Sequence, residues 1–172
     1  NIIRNVWANA VIFCGHFPDG AEKFTKTDMV GEGRGQWYLR QMLGSANFEG
    51  GPVMRFMSGN LSHQIEHHLY PDLPSNRLYE ISGRVRALCD KYDLPYTTGS
   101  FLVQYGKSWR TIAKLSLPNR FLRDTADDAP ETRSERMFDE LDGFGVTDPR
   151  TGRRRGLKTA IETVRGWRDK AA

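Results

Sequence analysis

Apolar and polar positions along the chain sort into segments of helical period separated by Gly, Pro and charge. The first is the apolar stretch Val6-Trp7-Ala8-Asn9-Ala10-Val11-Ile12-Phe13-Cys14, which ends at Gly15-His16-Phe17-Pro18. It falls short of the roughly 18 to 20 apolar residues of a membrane span, so it reads as a core helix or, the reading we favour, as the end of a span. Residues 18–35 carry Gly and charge and read as a loop; Gly31-Glu32-Gly33-Arg34-Gly35 follows no strand and is no phosphate cradle. Trp37 to Leu43 predicts a short helix, in which Trp37, Tyr38 and Gln41 serve either packing or an acyl or metal environment. A further helix is predicted from Pro52, a residue tolerated in a first turn, to Pro71, which closes it. Ser75 then caps a helix whose stripe Leu78, Ile81, Val85, Leu88 and Tyr92 is predicted core, with Arg77, Arg84, Arg86 and Lys91 opposite. The last helix of the main body spans 100–115, with Tyr105, Trp109 and Ile112 as packing positions and Pro118 as its stop. No strand is predicted, and the fold class is all-α.

Charge changes the picture beyond residue 118. Residues 120–149 hold four Arg against nine Asp and Glu, a net of −5, and residues 150–172 hold eight Arg and Lys against two acids, a net of +6. We therefore divide the chain into 1–118, an acidic linker 119–149 and a basic amphipathic tail helix 150–172. In the tail, Leu157, Ile161, Val164 and Trp167 form an apolar stripe beside Arg153-Arg154-Arg155, Lys158, Arg165 and Arg168. Such a helix can lie on an anionic membrane surface or fold back on the rest of the chain. The overall charge of +4, without a recognised motif, argues against nucleic acid. With 38% hydrophobic and 27% charged residues, no run reaches the length of a span, and no secretory signal pattern is visible. Cys14 and Cys89 form no paired motif and read as reduced structural thiols of a cytosolic setting.

Chemistry enters with the histidines. Three of four fall within six residues, in Gly59-Asn60-Leu61-Ser62-His63-Gln64-Ile65-Glu66-His67-His68-Leu69-Tyr70-Pro71. On a helix of about 100° per residue, with Gln64 at zero, Asn60 falls near 320°, His67 near 300° and His68 near 40°, so four polar side chains share a stripe. His63 borders it near 260°, while Ile65 and Glu66 point away, near 100° and 200°. Neutral imidazoles at this spacing are ligands for iron, zinc, copper or nickel. Two other readings stand beside that one. The histidines can be a surface pair or caps, and His63-Gln64-Ile65-Glu66-His67 satisfies H-x-x-E-H, in which two histidines hold zinc and the glutamate is the base of a hydrolase.

Gln64-Ile65-Glu66-His67-His68-Leu69-Tyr70-Pro71 resembles the third histidine box of membrane fatty-acid desaturases, in the form where Gln replaces the first His. The likeness extends through Asn47-Phe48-Glu49-Gly50-Gly51-Pro52 before the box and Asp72-Leu73-Pro74-Ser75-Asn76-Arg77 after it, and is greatest to bacterial, actinobacterial-type acyl-CoA desaturases. It runs from about Asn1 to Pro118. It implies the C-terminal helical portion of a histidine-box diiron enzyme that uses O2 and two electrons to insert a double bond into a long-chain acyl-CoA or acyl lipid. By that resemblance His67 and His68 ligate iron, Gln64 occupies the place of a third ligand, and His63 is set aside. His16 fits the place of a further ligand at the end of a membrane helix; the alternative is a histidine interacting with the helix dipole. Asn9, seven residues before His16, and Asn60 are candidates to stand behind the ligands. No catalytic side chain beyond the ligands is implied. The implied partners are the acyl substrate, an electron-transfer protein of the ferredoxin or reductase type, and the membrane, with this portion mostly at the cytoplasmic face.

A ligand count adds an expectation. Two irons held largely by histidine need more nitrogen donors than His16, His67 and His68 provide, and only His63 remains. The expectation is a portion of a larger enzyme, inactive alone. A non-enzymatic membrane-surface module, with structural histidines, is the remaining alternative.

Overall fold

The computed structural model describes residues 1–18, 20–22, 24, 29–118, 149, 152, 156–159 and 162–163. The acidic linker and most of the basic tail, Trp167 included, lie outside the described residues. Among the described residues up to 118, six α-helices and two short strands follow in the order α1 (Ile2–His16), α2 (Arg34–Leu43), β1 (Asn47–Glu49), α3 (Pro52–Met57), α4 (Gln64–Leu69), α5 (Leu78–Tyr92), β2 (Thr98–Ser100) and α6 (Phe101–Leu115), with a 3-10 turn Ser75–Arg77 before α5. The chain is mostly helical, as its periodicity predicts. The parallel pair β1–β2, in the register Asn47 to Thr98 and Glu49 to Ser100, is a departure from all-α. Strands of three residues are too short to show an alternating pattern.

Local chemistry accounts for the boundaries. The α2 start is closed by the Gly33 N–H donating to Gln36 Oε1 at 2.8 Å, and Arg40 reaches back to both carboxylate oxygens of Glu32 at 2.6 and 2.9 Å. Pro52 opens α3 as expected. The single helix predicted from Pro52 to Pro71 is instead broken in two. Gly59 and Asn60 both adopt left-handed backbone, φ 62° and 64°, which no helix can continue. Asn60 therefore belongs to the turn between α3 and α4, not to the ligand stripe. The box helix begins at Gln64.

Two clusters form the interior. Met42, Leu43, Ile65, Val85, Cys89 and Leu157 make one, and Val11, Cys14 and Phe48 make the other, flanked by Trp7 and Phe101. The core face of α5 is Leu78, Val85 and Cys89; Leu88 and Tyr92 of the predicted stripe are exposed, 50% and 42%. On α6 the prediction holds in part: Tyr105 packs against the cluster of Val11, Cys14 and Phe48, whereas Trp109 and Ile112 do not lie in the core. Trp109 is 52% exposed, while Gln104 and Ser108 are buried, because Gln104 Nε2 donates to Asn47 O and Ser108 Oγ to Phe13 O. Hydrogen bonding to neighbouring backbone selects the inward face there, and hydrophobic periodicity is blind to it.

The described part of the tail folds back on the body. Leu157 is only 4% exposed and packs beside Ile65, Val85 and Cys89. Asp93, left-handed at the end of α5 (φ 51°), receives the Gly156 and Thr159 N–H groups on Oδ2 at 2.6 and 3.1 Å and the Lys158 N–H on its carbonyl at 2.8 Å. One carboxylate thus caps the first turn of a helix sixty-three residues downstream. Gly156 is required by contact: a Cβ would lie 2.6 Å from Tyr92 O.

Candidate metal centre

His16, at the end of α1, and His68, on the last turn of α4, come together with Gln64. Their rings meet edge to face, centroids 5.1 Å apart. Gln64 Nε2 lies 3.1 Å from His16 Nε2 and 3.4 Å from His68 Nε2, so its two hydrogens meet two imidazole lone pairs. The approach of α1 to α4 depends on Gly15, where a Cβ would stand 3.0 Å from Gln64 Cγ. His67 lies next to this group, its ring centroid 5.8 Å from that of His68. The four residues singled out as ligands in the sequence are thereby neighbours.

Electrostatics keep an imidazole neutral here. Burial first, then the neighbouring His16 and His67 rings, push His68 down to about 4, so its Nε2 lone pair is not competed for by a proton near neutrality. Its other nitrogen, Nδ1, lies 3.0 Å from Gln41 Oε1, an acceptor, which places the ring hydrogen on Nδ1 and leaves Nε2 facing Gln64 and His16. Gln41 thus has the orienting role that sequence left open between packing and the site.

The remaining candidates lie elsewhere. Asn9 Oδ1 accepts the Tyr105 hydroxyl at 3.3 Å, joining α1 to α6. Asn60 sits in the left-handed turn. His63 precedes the box helix, bonds Ser62 Oγ at 3.0 Å and faces the Tyr79 ring in a cavity of about 340 Å³ with Arg55 and Ser82. Its pKa is lowered by burial, with Glu66 opposing and Arg55 adding to the shift. Glu66, 0% exposed, accepts from Asn47 Nδ2 and the Tyr96 hydroxyl, both at 2.8 Å, so both of its oxygens are engaged. The structure does not favour the H-x-x-E-H hydrolase arrangement, since both oxygens of its base are taken up by Asn47 and Tyr96 and its first histidine faces Tyr79 rather than the group of His16, Gln64 and His68. Asn47 and Tyr96 escaped the sequence reading as site supports. The Asn47 flank of the box was the signal available for one; Tyr96, in a run without period, left none.

Among the described residues no three His, Cys, Asp or Glu side chains stand together in the form of a complete metal site. The donor set nevertheless suits a transition-metal cation: two imidazole nitrogens converge on one point, a third imidazole is adjacent, and turning the Gln64 amide presents an oxygen to the same place. The scaffold that brings these imidazoles from separate helices to one place is mostly helical. The family model described as fatty acid desaturase matches residues 2–100, and the chain belongs to the fatty acid desaturase family. It is 81% identical over 166 residues to the NADPH-dependent stearoyl-CoA 9-desaturase of Mycobacterium tuberculosis, covering 96% of this chain and 39% of that protein. It is also 36% identical over 98 residues to the acyl-lipid (9-3)-desaturase of Borago officinalis, 56% of this chain and 22% of that one. The Delta(8)-fatty-acid desaturase of Helianthus annuus is 34% identical over 110 residues, 63% of this chain and 23% of that protein. The chain thus spans about two fifths of the length of its mycobacterial relative and less of the plant ones. No solved structure matches it.

Proposed function

We propose that this chain is part of a membrane acyl-CoA desaturase acting on a long-chain saturated acyl-CoA such as stearoyl-CoA, and that it supplies His16, His67 and His68, with Gln64, to a histidine-ligated diiron centre. The observation that carries the reading is the meeting of His16 and His68 around Gln64, from helices far apart in sequence, within a family match that spans the box. Iron held there would supply, from O2 and two electrons, the oxidising power that no side chain has for removing two hydrogens from unactivated methylenes. The residues of this chain position donors. Gln41 orients His68, and burial keeps its imidazole neutral.

The 81% identity to a stearoyl-CoA 9-desaturase supports a saturated acyl-CoA over the acyl-lipid and Delta(8) substrates in the names of the more distant relatives. NADPH in that name supports a reductase as the source of electrons. No helix among the described residues is long and apolar enough to cross a membrane. Exposed Ile2, Ile3, Val6 and Ile12 on α1 and Leu102, Val103 and Trp109 on α6 support a place against further helices or lipid. The test is expression of the full-length protein in membranes with an electron donor, followed by fatty-acid analysis and iron determination. His16→Ala, His67→Ala and His68→Ala are each expected to abolish double-bond formation and reduce bound iron; unchanged products and iron in all three would refute the assignment.

A further inference from the structure

Asn47 makes hydrogen bonds through every polar atom it has, and those of its side chain reach the box helix at Ile65 and Glu66. Its N–H donates to Thr97 O at 2.8 Å, and its carbonyl accepts Gln104 Nε2 at 3.2 Å. Its side-chain oxygen accepts the Ile65 N–H at 2.9 Å, and its amide nitrogen donates to Glu66 Oε2 at 2.8 Å and to the Tyr96 hydroxyl at 2.7 Å. The Tyr96 hydroxyl then donates to Glu66 Oε1 at 2.8 Å, so both carboxylate oxygens are engaged.

The geometry leaves little freedom. The side-chain oxygen must face Ile65 N–H and the amide hydrogens must face the carboxylate and the phenol, so the amide has one orientation. α4 is six residues long, and a helix that short does not hold itself together in water. Its preceding residue His63 provides no side-chain cap. The function of a cap is performed instead by Asn47, eighteen residues earlier in the chain, on Ile65. Glu66, the next residue, is clamped on the same side. Gln64, His67 and His68 project from the other parts of this one turn and a half, so whatever fixes the rotation of α4 at Ile65 and Glu66 fixes where those three side chains point.

We infer that Asn47, Glu66 and Tyr96 are positioning residues for the metal centre: a polar clamp behind the box helix that sets its rotation and thereby aims His67, His68 and Gln64. The inference rests on the reading of those residues as metal-facing. Outer residues that orient ligands typically alter metal affinity about 10- to 100-fold when changed. The clamp acts on the helix carrying the ligands, so the lower end applies.

Its signature is complementarity. Asn47→Asp keeps an acceptor for Ile65 N–H but sets a second carboxylate against Glu66. Pairing it with Glu66→Gln restores one amide facing one carboxylate, with the two exchanged. The full-length protein, purified in detergent, is titrated with cobalt(II) while its visible ligand-field absorption is followed. Asn47→Asp is expected to weaken cobalt binding about 10-fold and shift the absorption, and the Asn47→Asp, Glu66→Gln pair to restore both. Tyr96→Phe, which removes one hydroxyl and keeps the ring, should shift the absorption in the same sense by less, and remains informative where Asn47→Asp does not fold. Leu78→Ala, a buried change on α5 that lowers stability, should leave the absorption in place. Wild-type affinity and absorption in both Asn47→Asp and Tyr96→Phe would overturn the clamp, as would a paired variant no better than Asn47→Asp or a Leu78→Ala shift of equal size. Failure of the wild-type protein to bind cobalt would overturn the metal reading together with the clamp.

Discussion

Replacing Leu157 by Ala tests whether the start of the basic tail belongs to the folded body. Leu157 is 4% exposed and fills a space bounded by Met42, Leu43, Ile65, Val85 and Cys89. Removing three carbons from such a site loses their transfer free energy and leaves a void, and buried Leu→Ala changes cost about 2 to 5 kcal/mol. The first turn carrying Leu157 is held by three N–H bonds to Asp93 and cannot easily move inward to fill the gap, though its surface position lets water relax it. About 2 to 3 kcal/mol is the expected loss. For a chain of this size that lowers Tm by roughly 4 to 12 °C. The assay is thermal unfolding of the purified protein beside Lys158→Ala, whose exposed neighbouring side chain should change Tm by less than about 1 °C. A tail lying on the membrane would give the opposite pattern, with Leu157→Ala weakening liposome binding and leaving Tm alone. Equal Tm values for the two variants would refute the docking.

Two further outcomes follow from particular residues. Burial first, then the negative charges of Glu66 and Asp90, push the Cys89 thiol up to about 11 from its ordinary 9.0, with a backbone hydrogen bond and Lys158 opposing. The folded state then holds that proton more tightly than the unfolded chain, so its contribution to stability is full below pH 9 and is lost as pH rises through about 11. Cys89→Ser should flatten the denaturant midpoint between those pH values; a slope equal to that of the parent would contradict the assignment. Asn60→Ala should lower stability by about 1 kcal/mol, since Ala tolerates left-handed backbone less well than Asn, while Asn60→Gly should leave stability unchanged or improve it. Neither change should alter bound iron, and a loss of iron in Asn60→Gly would return Asn60 to the site.

What sequence reveals here depends on the range of the interaction. Gln64, His67 and His68 are legible because one helical turn brings them together, and α5 and α6 because their periods are long. The break at Gly59-Asn60 is legible only in hindsight, since a stripe drawn on a continuous helix is blind to two consecutive residues with positive φ. His16 meets Gln64 through Gly15, a contact made by the lack of a Cβ and invisible to any pattern of polarity. On α6 the periodicity finds Tyr105 but not Gln104 and Ser108, which are polar and face inward only because of their backbone acceptors Asn47 and Phe13. Asn47 itself carries information across five partners distant in sequence. No local window contains them.

The seating of Leu157 also has a consequence for synthesis on the ribosome. Asp93 is made sixty-three residues before Gly156, and at about 5 to 20 residues per second the wall of Ile65, Val85 and Cys89 waits roughly 3 to 13 seconds for the side chain that closes it. During that interval the nascent chain shows an apolar pit directly behind its histidine box, open to chaperones or to a neighbouring nascent chain.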